Sequence, residues 1–461
     1  MATAPVRSAA RQTFRRAPGP RGRPIVGSLP ALERQGMLPF FLDLWRRYGD
    51  TVRVKMGPIV QHLVVDPADV HHVLVANHRN YVKGFGFRKL KLALGEGLFL
   101  SEGPLWQRQR RLMQPPFTSK GVLDFAAAMT RSTEVMLTRW EAAARDGQPL
   151  DVNQEMAHLA MDIIAQTMFD FPIGDEAYET AEAFRYVLEF VSQRSLRIVD
   201  WPMFVPTPAN RRFKRALAAL DAFTGQMIAQ RRSRSGDAPR DLLTMLIQAR
   251  DEETGAGMSE QQLRDEVLTI FFAGHETTAQ ALTWTWYLLS RTPRVEQRLH
   301  DELESVLSGR LPTAADLPQL SYTRMVFEEA MRLYPPVLML ARDAIGPDEL
   351  GGYEIPAGSM IVLSQYITHR HPRYWDDPDE FEPERFRPEA VAARPNYAYF
   401  PFGGGPRTCL GDKFAMLEGV LVLASVAQRY RLRLVKGHRV EPVSIGTLRP
   451  RYGMQMTLER R

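Results

Sequence analysis

The spacing of apolar residues along the chain predicts a mainly helical protein, and its longest pattern lies past the middle. Ser259 and Gln262 have the spacing of a capping box, and apolar residues recur on one helical face from Leu263 to Leu289. This pattern predicts about 30 residues of helix, or about 45 Å at 1.5 Å per residue. A helix of that length crosses the whole molecule.

Two further helices follow directly in the sequence. Thr292-Pro293 predicts a helix start and Gly309 its end. The next pattern runs from Ser321 and must stop at Pro335-Pro336, because proline cannot continue a helix.

Strand signals are short and few, and no repeat, low-complexity segment or long linker divides the chain. We therefore expect a mainly α protein with small β-sheets (α+β), folded as one compact domain over residues 24–461. The four runs that predict strands are Thr51–Lys55, Gln61–Val65, Met360–Ser364 and Gln455–Glu459.

Charge changes this picture at the N-terminus. The formal net charge is +6, and residues 1–32 hold six arginines and no acidic residue, so 53 basic and 53 acidic residues remain in the body. Residues 1–23, rich in proline and glycine near their end, are expected to form a basic, disordered tail. A neutral body argues against nucleic-acid binding; contact of the tail with a membrane surface, or a transit-peptide role, stays open.

The chain has one cysteine, Cys409, which excludes an internal disulfide and any zinc or iron–sulfur site held by several of its own thiolates. This usage fits a reducing compartment, so we expect a cytoplasmic protein. No apolar run reaches the roughly 18 residues of a membrane span, which predicts no transmembrane anchor.

The segment Phe402-Gly403-Gly404-Gly405-Pro406-Arg407-Thr408-Cys409-Leu410-Gly411 gives this cysteine a distinctive frame. Its glycines allow positive φ and close packing against something flat, and Arg407 supplies a fixed cation. An apolar helical pattern begins after Gly411, so the positive end of a helix would stabilise a thiolate. These flanks favour a metal-ligating thiolate over an inert buried thiol.

This segment resembles the haem-binding loop of the cytochrome P450 family, Phe-Gly-x-Gly-x-Arg-x-Cys-x-Gly, and every fixed position is met. The resemblance covers the chain from about Pro24 and implies the P450 fold, with a long central helix over the haem. It implies that Cys409 is the axial ligand of a b-type haem (iron protoporphyrin IX). Phe402, Arg407 and Gly411 would belong to the haem-binding loop, with Arg407 paired to a propionate.

Further motifs stand in family order. Trp106 and Arg110 are spaced i, i+4 and point the same way, which suits a carboxylate. The resemblance implies that both bind a haem propionate and that Arg342 is a further contact.

Glu329 and Arg332 lie three apart on one helical face, and Arg385 follows 53 residues after Arg332. The resemblance brings the three into a buried ionic triad with a structural role, holding the loop that bears the cysteine.

The long helix contains Ala273-Gly274-His275-Glu276-Thr277, an acid and an alcohol after a glycine in an apolar stretch. Glycine within a helix costs about 1 kcal/mol relative to alanine, and we expect the close approach of a ligand to be its reason. The resemblance implies a dioxygen-binding groove in which Glu276 and Thr277 manage protons. We interpret His275 as structural or outward-facing.

The resemblance also implies a largely apolar substrate pocket. Its expected lining residues are Phe99, Leu100, Phe272, Ala273, Leu338, Met339, Leu340, Thr447 and Leu448.

These features imply a monooxygenase that inserts one atom of O₂ into a lipophilic small molecule such as a fatty acid, terpenoid or steroid. Only 52 residues follow Cys409, too few for a fused flavin reductase. Electrons from NAD(P)H would therefore come through a separate ferredoxin or flavodoxin with its reductase. A peroxide-driven peroxygenase, oxidative tailoring of a secondary metabolite, and a haem-thiolate sensor or storage protein are the alternatives.

Overall fold

The structure, a computed structural model, describes residues 15–84, 87, 89–172, 176–196, 201–233, 241–250 and 255–461. Within these ranges helices dominate and the sheets are small, as predicted. The α-helices are α1 (Leu29–Gln35), α2 (Met37–Tyr48), α3 (Pro67–His71), α4 (Lys91–Leu94), α5 (Gly103–Met113), α6 (Ser119–Leu123), α7 (Ala126–Asp146), α8 (Val152–Phe169), α9 (Glu176–Leu196), α10 (Pro208–Ser233), α11 (Leu242–Gln248), α12 (Glu260–Arg291), α13 (Pro293–Leu307), α14 (Ser321–Leu333), α15 (Gln365–Thr368), α16 (Pro388–Ala393) and α17 (Asp412–Arg429).

The long helix is confirmed as α12, with 32 residues. The Ser259 hydroxyl accepts a hydrogen bond from the Gln262 N–H at 3.1 Å, as an N-cap should. The Ser259 N–H makes no return bond to the Gln262 side-chain oxygen, so only half of the expected capping box forms. The next two helices, α13 and α14, end within two residues of their predicted stops.

Within the described ranges, twelve strands form one five-stranded sheet and three smaller ones. The large sheet has the order β1-β2-β8-β5-β3, in which β2 and β8 are parallel and the other pairs antiparallel. The strands are β1 (Thr51–Met56), β2 (Ile59–Val64), β3 (Tyr81–Val82), β4 (Leu150–Asp151), β5 (Leu340–Ala344), β6 (Asp348–Leu350), β7 (Tyr353–Ile355), β8 (Met360–Leu363), β9 (Tyr430–Leu434), β10 (Pro442–Ile445), β11 (Thr447–Pro450) and β12 (Gln455–Arg460).

The apolar core has one main body and two satellites. The main cluster joins α7, α8, α12, α14 and α17. The satellites cover opposite faces of the five-stranded sheet, so Leu63 packs in one and Val64 in the other. This alternation follows from the two-residue period of a strand.

Part of the expected tail packs on the body. Arg15 forms a β-bridge with Tyr353, and the Pro18 carbonyl accepts a hydrogen bond from the Arg53 N–H at 2.8 Å. Residues 15–23 are therefore in contact with β1 and β7, whereas residues 1–14 of the expected tail lie outside the described residues. No helix in the described ranges is long and apolar enough to cross a membrane.

Candidate active site

The cysteine loop folds tightly between helix α17 and the rest of the body. The Cys409 N–H donates to the Phe402 carbonyl at 2.9 Å, and Gly411 is the residue before α17. Gly405 has φ of +65°, and a Cβ there would lie 1.9 Å from the Leu74 carbonyl oxygen. Glycine is therefore required at this position for both conformation and space.

The neighbouring glycines have different reasons. A Cβ at Gly404 would lie 2.3 Å from the Tyr397 ring, so the flat partner of this glycine is a tyrosine of the protein itself. Gly403 has φ of +72° and only an ordinary contact, 3.4 Å to Leu340. At Gly404 and Gly405 the loop therefore packs closely against other parts of the protein, Tyr397 and the Leu74 carbonyl.

Cys409 faces open space and is nevertheless deeply placed. The residue is exposed, yet protein surrounds it so densely that burial raises the pKa of its thiol to about 11. The Gly411 N–H and the charge of Arg110 favour the thiolate, but burial outweighs them and Asp412 adds to it. The donors at the start of α17 therefore favour the thiolate without offsetting the cost of burial, and a metal cation bound there would stabilise the thiolate further.

The predicted carboxylate-binding pair on α5, Trp106 and Arg110, contacts two residues of the cysteine loop, Arg407 and Thr408. Arg110 donates to the Thr408 carbonyl at 2.9 Å and so holds the cysteine loop. Trp106 lies under the Arg407 guanidinium, 3.9 Å from it, and Arg407 also donates to the Ser101 carbonyl at 2.9 Å. The side chains of Trp106, Arg110 and Arg407 are thus brought together.

Lys83 and Arg342 form a cluster of cations with Arg407, and Lys83 was not predicted from the sequence. Lys83 and Arg342 have lowered pKa values, Arg342 to about 10, because both are buried and both are repelled by Arg407. Glu102 pairs with Arg407 and accepts a hydrogen bond from the Lys83 backbone N–H. Cations that remain under-neutralised in this way suit the two propionates of a haem.

The predicted triad assembles around Glu329. Arg332 donates from Nε and Nη2 to the two Glu329 oxygens at 2.6 and 2.8 Å, and both side chains are fully buried. Arg385 Nε lies 3.4 Å from Glu329 Oε1, an ion pair without hydrogen-bond geometry.

His369 connects this triad to the cysteine loop and carried no signal in the sequence. Its carbonyl accepts from Arg332 at 2.9 Å, and its Nε2 accepts from the Phe400 N–H at 2.9 Å. Burial keeps the pKa of His369 well below its usual value, so the ring is neutral and free to accept.

Thr277 bonds back to its own helix beside an exposed position of α12. Ala273 is exposed between the partly buried Phe272 and Gly274, and the Thr277 hydroxyl donates to the Ala273 carbonyl at 2.7 Å. A Cβ at Gly274 would lie 2.5 Å from the end of the Ile164 side chain on α8, so packing gives a second reason for glycine here. The close approach of a ligand stays a prediction. His275 is buried rather than outward-facing and bonds through Nδ1 to the Phe271 carbonyl.

Glu276 is 5% exposed and held on both sides. Its Oε1 accepts from the Thr447 hydroxyl at 2.8 Å and from Gln280 Nε2 at 3.2 Å. The acid is therefore tied to the β10–β11 hairpin as well as to its own helix.

The predicted pocket residues divide into two groups. The rings of Phe99 and Phe272 lie 6.2 Å apart, Ala273 is exposed, and Met339 and Leu340 are partly buried. Thr447, 6% exposed, donates its hydroxyl to Glu276.

Three of the predicted pocket residues pack as core. Leu100, Leu338 and Leu448 are 2%, 3% and 0% exposed, so protein atoms enclose their side chains and they face no open space in this structure.

Comparison with known proteins identifies a family and several relatives. The sequence profile of the family Cytochrome P450 matches residues 17–458. Cyclooctatin synthase of Streptomyces melanosporofaciens is 38% identical over 431 residues, which cover 93% of this chain and 92% of that protein. Pentalenene oxygenase of Streptomyces avermitilis is 32% identical over 438 residues, 95% of each.

Two further comparisons agree. Cyclooctat-9-en-7-ol 5-monooxygenase of Streptomyces melanosporofaciens is 38% identical over 419 residues, 91% of this chain and 90% of that protein. The crystal structure of the cytochrome P450DA heme domain superposes with a TM-score of 0.88 at 26% identity, covering 97% of this chain and 98% of that chain.

Proposed function

The chain belongs to the cytochrome P450 family, and from that premise we propose that it hydroxylates a terpenoid. It is a monooxygenase that uses haem and O₂. One observation favours a terpenoid over a fatty acid or steroid: the relatives' names specify cyclooctat-9-en-7-ol and pentalenene. The neighbouring rings of Phe99 and Phe272 supply apolar surface, which suits a lipophilic substrate of any of these classes. A hydroxylated terpenoid fits oxidative tailoring of a secondary metabolite.

In this proposal Cys409 ligates the iron, and Lys83, Arg110, Arg342 and Arg407 neutralise the propionates. When bound, haem supplies the iron at which O₂ is activated. The observation that carries the assignment is the exposed but deeply placed Cys409, with under-neutralised cations near its loop. The chain's remaining tasks are to orient the substrate, exclude bulk water and deliver protons through Glu276 and Thr277.

The ligation is tested by reduction under carbon monoxide. Wild-type protein should show the Soret position of a thiolate-ligated haem, and Cys409→Ser should lose it. A histidine-type Soret position in correctly folded wild-type protein would overturn the assignment of Cys409.

The substrate class is tested by Soret shifts against a library of cyclic terpenoids, fatty acids and steroids. We expect cyclic terpenoids to bind about tenfold more tightly than fatty acids, because a rigid cyclic ligand loses less conformational entropy on burial than a flexible chain. The expected preference over steroids rests on the substrates that the relatives' names specify. Preference for a fatty acid would refute the terpenoid assignment.

We propose NAD(P)H as the electron source and an acidic ferredoxin or a flavodoxin, with its reductase, as the partner. The proposal rests on basic side chains near the cysteine loop: Arg111 and Lys120 are exposed, and Lys413 is exposed in the first turn of α17. Reduction should slow with ionic strength and in Lys413→Glu. Rates indifferent to both would contradict docking there.

A peroxide-driven reaction is the second candidate. Glu276 and Thr277 argue against it, because peroxide already brings the protons that this pair would deliver. Turnover with hydrogen peroxide alone, at the rate of the NAD(P)H-supported reaction, would favour it.

We also propose a cytoplasmic location, since a lone cysteine suits a reducing compartment.

A further inference from the structure

Thr447 has a buried contact that a pocket-lining residue does not need. It begins β11, directly after Gly446, whose φ is +78°, and is 6% exposed. Its hydroxyl donates to Glu276 Oε1 at 2.8 Å. A hydroxyl has one proton to donate, so while this bond lasts Thr447 has none for a substrate.

The hairpin that carries Thr447 is fixed at several points. The Leu448 N–H donates to the Pro336 carbonyl at 2.9 Å, and Trp284 Nε1 donates to the Leu448 carbonyl at 2.8 Å. Arg449 pairs with Glu189 of α9 at 2.5 Å. The hydroxyl therefore reaches Glu276 from a frame anchored to both α9 and α12.

The partners of Glu276 differ in what they can fix. Gln280 lies one turn along the same helix at 3.2 Å, so its bond follows any motion of α12. Among the described residues, Thr447 is the side chain that bonds to this carboxylate from outside α12. A donor on a separate, anchored element selects one orientation of a buried carboxylate.

We propose that Thr447 is a positioning residue that holds the Glu276 carboxylate in the orientation required for proton delivery, and that it does not act as a substrate contact. The inference rests on the proposed function, in which Glu276 relays protons.

The test compares Thr447→Val, which keeps the shape and removes the donor, with Thr447→Ser, which keeps the donor. Each holoenzyme is assayed with the substrate that shifts the Soret band most. In Thr447→Val the ratio of product to NAD(P)H consumed should fall by about tenfold, within the range of a misplaced acid–base group. The dissociation constant for substrate should stay within about twofold, and Thr447→Ser should restore the ratio.

Infrared difference spectra supply a readout besides turnover. The carboxyl band of Glu276, assigned by its loss in Glu276→Gln, should shift in Thr447→Val and return in Thr447→Ser. If Thr447→Val does not retain haem, Thr447→Ala carries the same expectations, because it also lacks the donor.

The outcomes are distinguishable. If Glu276→Gln uncouples turnover and Thr447→Val does not, the proton role of Glu276 stands and the positioning role of Thr447 is overturned. Weaker substrate binding with unchanged coupling in Thr447→Val identifies a substrate contact and also overturns it. If Glu276→Gln couples like the wild type, the proposed proton role itself fails, and the inference fails with it.

Discussion

The hydroxyl of Thr277 lies one helical turn after exposed Ala273 and bonds back to its carbonyl. If it delivers protons, Thr277→Ala should keep its haem and consume NAD(P)H at a comparable rate. The ratio of product to cofactor should fall by about tenfold or more and hydrogen peroxide should rise, as expected when a positioned proton donor is lost. Titrating product and peroxide against cofactor measures this.

The matched control is Thr283, which bonds back to the Ala279 carbonyl at the same 2.7 Å but is fully buried. Thr283→Ala removes an equivalent bond and should leave coupling unchanged. Equal coupling in Thr277→Ala and wild type would show that Thr277 only bonds back to its helix.

Lys83 gives a second prediction about a single residue. Lys83→Met removes one of the cations that we propose to neutralise the haem propionates. Haem should therefore transfer to apomyoglobin about tenfold faster, the size of one charge-assisted hydrogen bond. Lys120→Met, which removes an exposed cation, should transfer haem at the wild-type rate. Equal rates for the two variants would exclude Lys83 from propionate binding.

Single residues were predictable where a local pattern surrounds them. Cys409 and Arg407 stand out in the sequence because they belong to a motif of ten adjacent residues. Lys83 follows a two-residue strand and has no neighbours that form a motif, and His369 acts through its backbone as much as its ring. The contact between Gly274 and Ile164 had no signal in the sequence because the two residues are 110 positions apart.

Between helices, Gly419 marks a close contact. An alanine Cβ there would lie 2.2 Å from the Phe327 ring, so α17 and α14 must move apart to admit it. Gly419→Ala should therefore lower the free energy of unfolding by about 1–3 kcal/mol, despite the better helix propensity of alanine. Urea unfolding measures the change.

Gly225 of α10 is the matched control, since it is exposed and a Cβ would meet nothing within 4 Å. Gly225→Ala should stabilise the protein by up to about 1 kcal/mol. A stabilising Gly419→Ala would mean that the two helices are not in the contact described.

Elements were predictable in kind and extent, because apolar periodicity is a local property. The long helix α12 and the strands β1, β2, β8 and β12 follow the sequence closely. Which strands pair is not local: β2 joins β8 with Gln61 opposite Met360, and no short pattern specifies that partner. The incomplete capping box of Ser259 and Gln262 shows the same limit at a helix start.

Across the whole molecule, buried titratable groups make stability depend on pH in two directions. Burial and three nearby arginines lower the pKa of His300 to about 3, so its contribution is complete above pH 6.5 and is lost as the pH falls toward 3. Burial raises the pKa of Glu266 to about 8, so its contribution is complete below pH 4.5 and is lost as the pH rises through 8.

Two variants separate these effects. Relative to His300→Gln, the wild type should lose unfolding free energy as the pH falls from about 6 to 4, by up to about 1.4 kcal/mol per pH unit. Relative to Glu266→Gln, it should lose unfolding free energy as the pH rises from about 5 to 8. Denaturant titrations across this range measure both differences, and the absence of any slope would mean that neither group is held in its neutral form.

The parallel pairing of β2 with β8 also has a consequence for how the chain is made. Gln61 and Met360 are 299 residues apart, so β2 waits for its partner while the ribosome adds that length of chain. At 5–20 residues per second this takes about 15 to 60 s, during which the nascent protein presents an unpaired strand edge. Expression at a lower growth temperature, or with additional chaperones, should therefore raise the yield of folded protein more than substitutions on the surface of the finished enzyme.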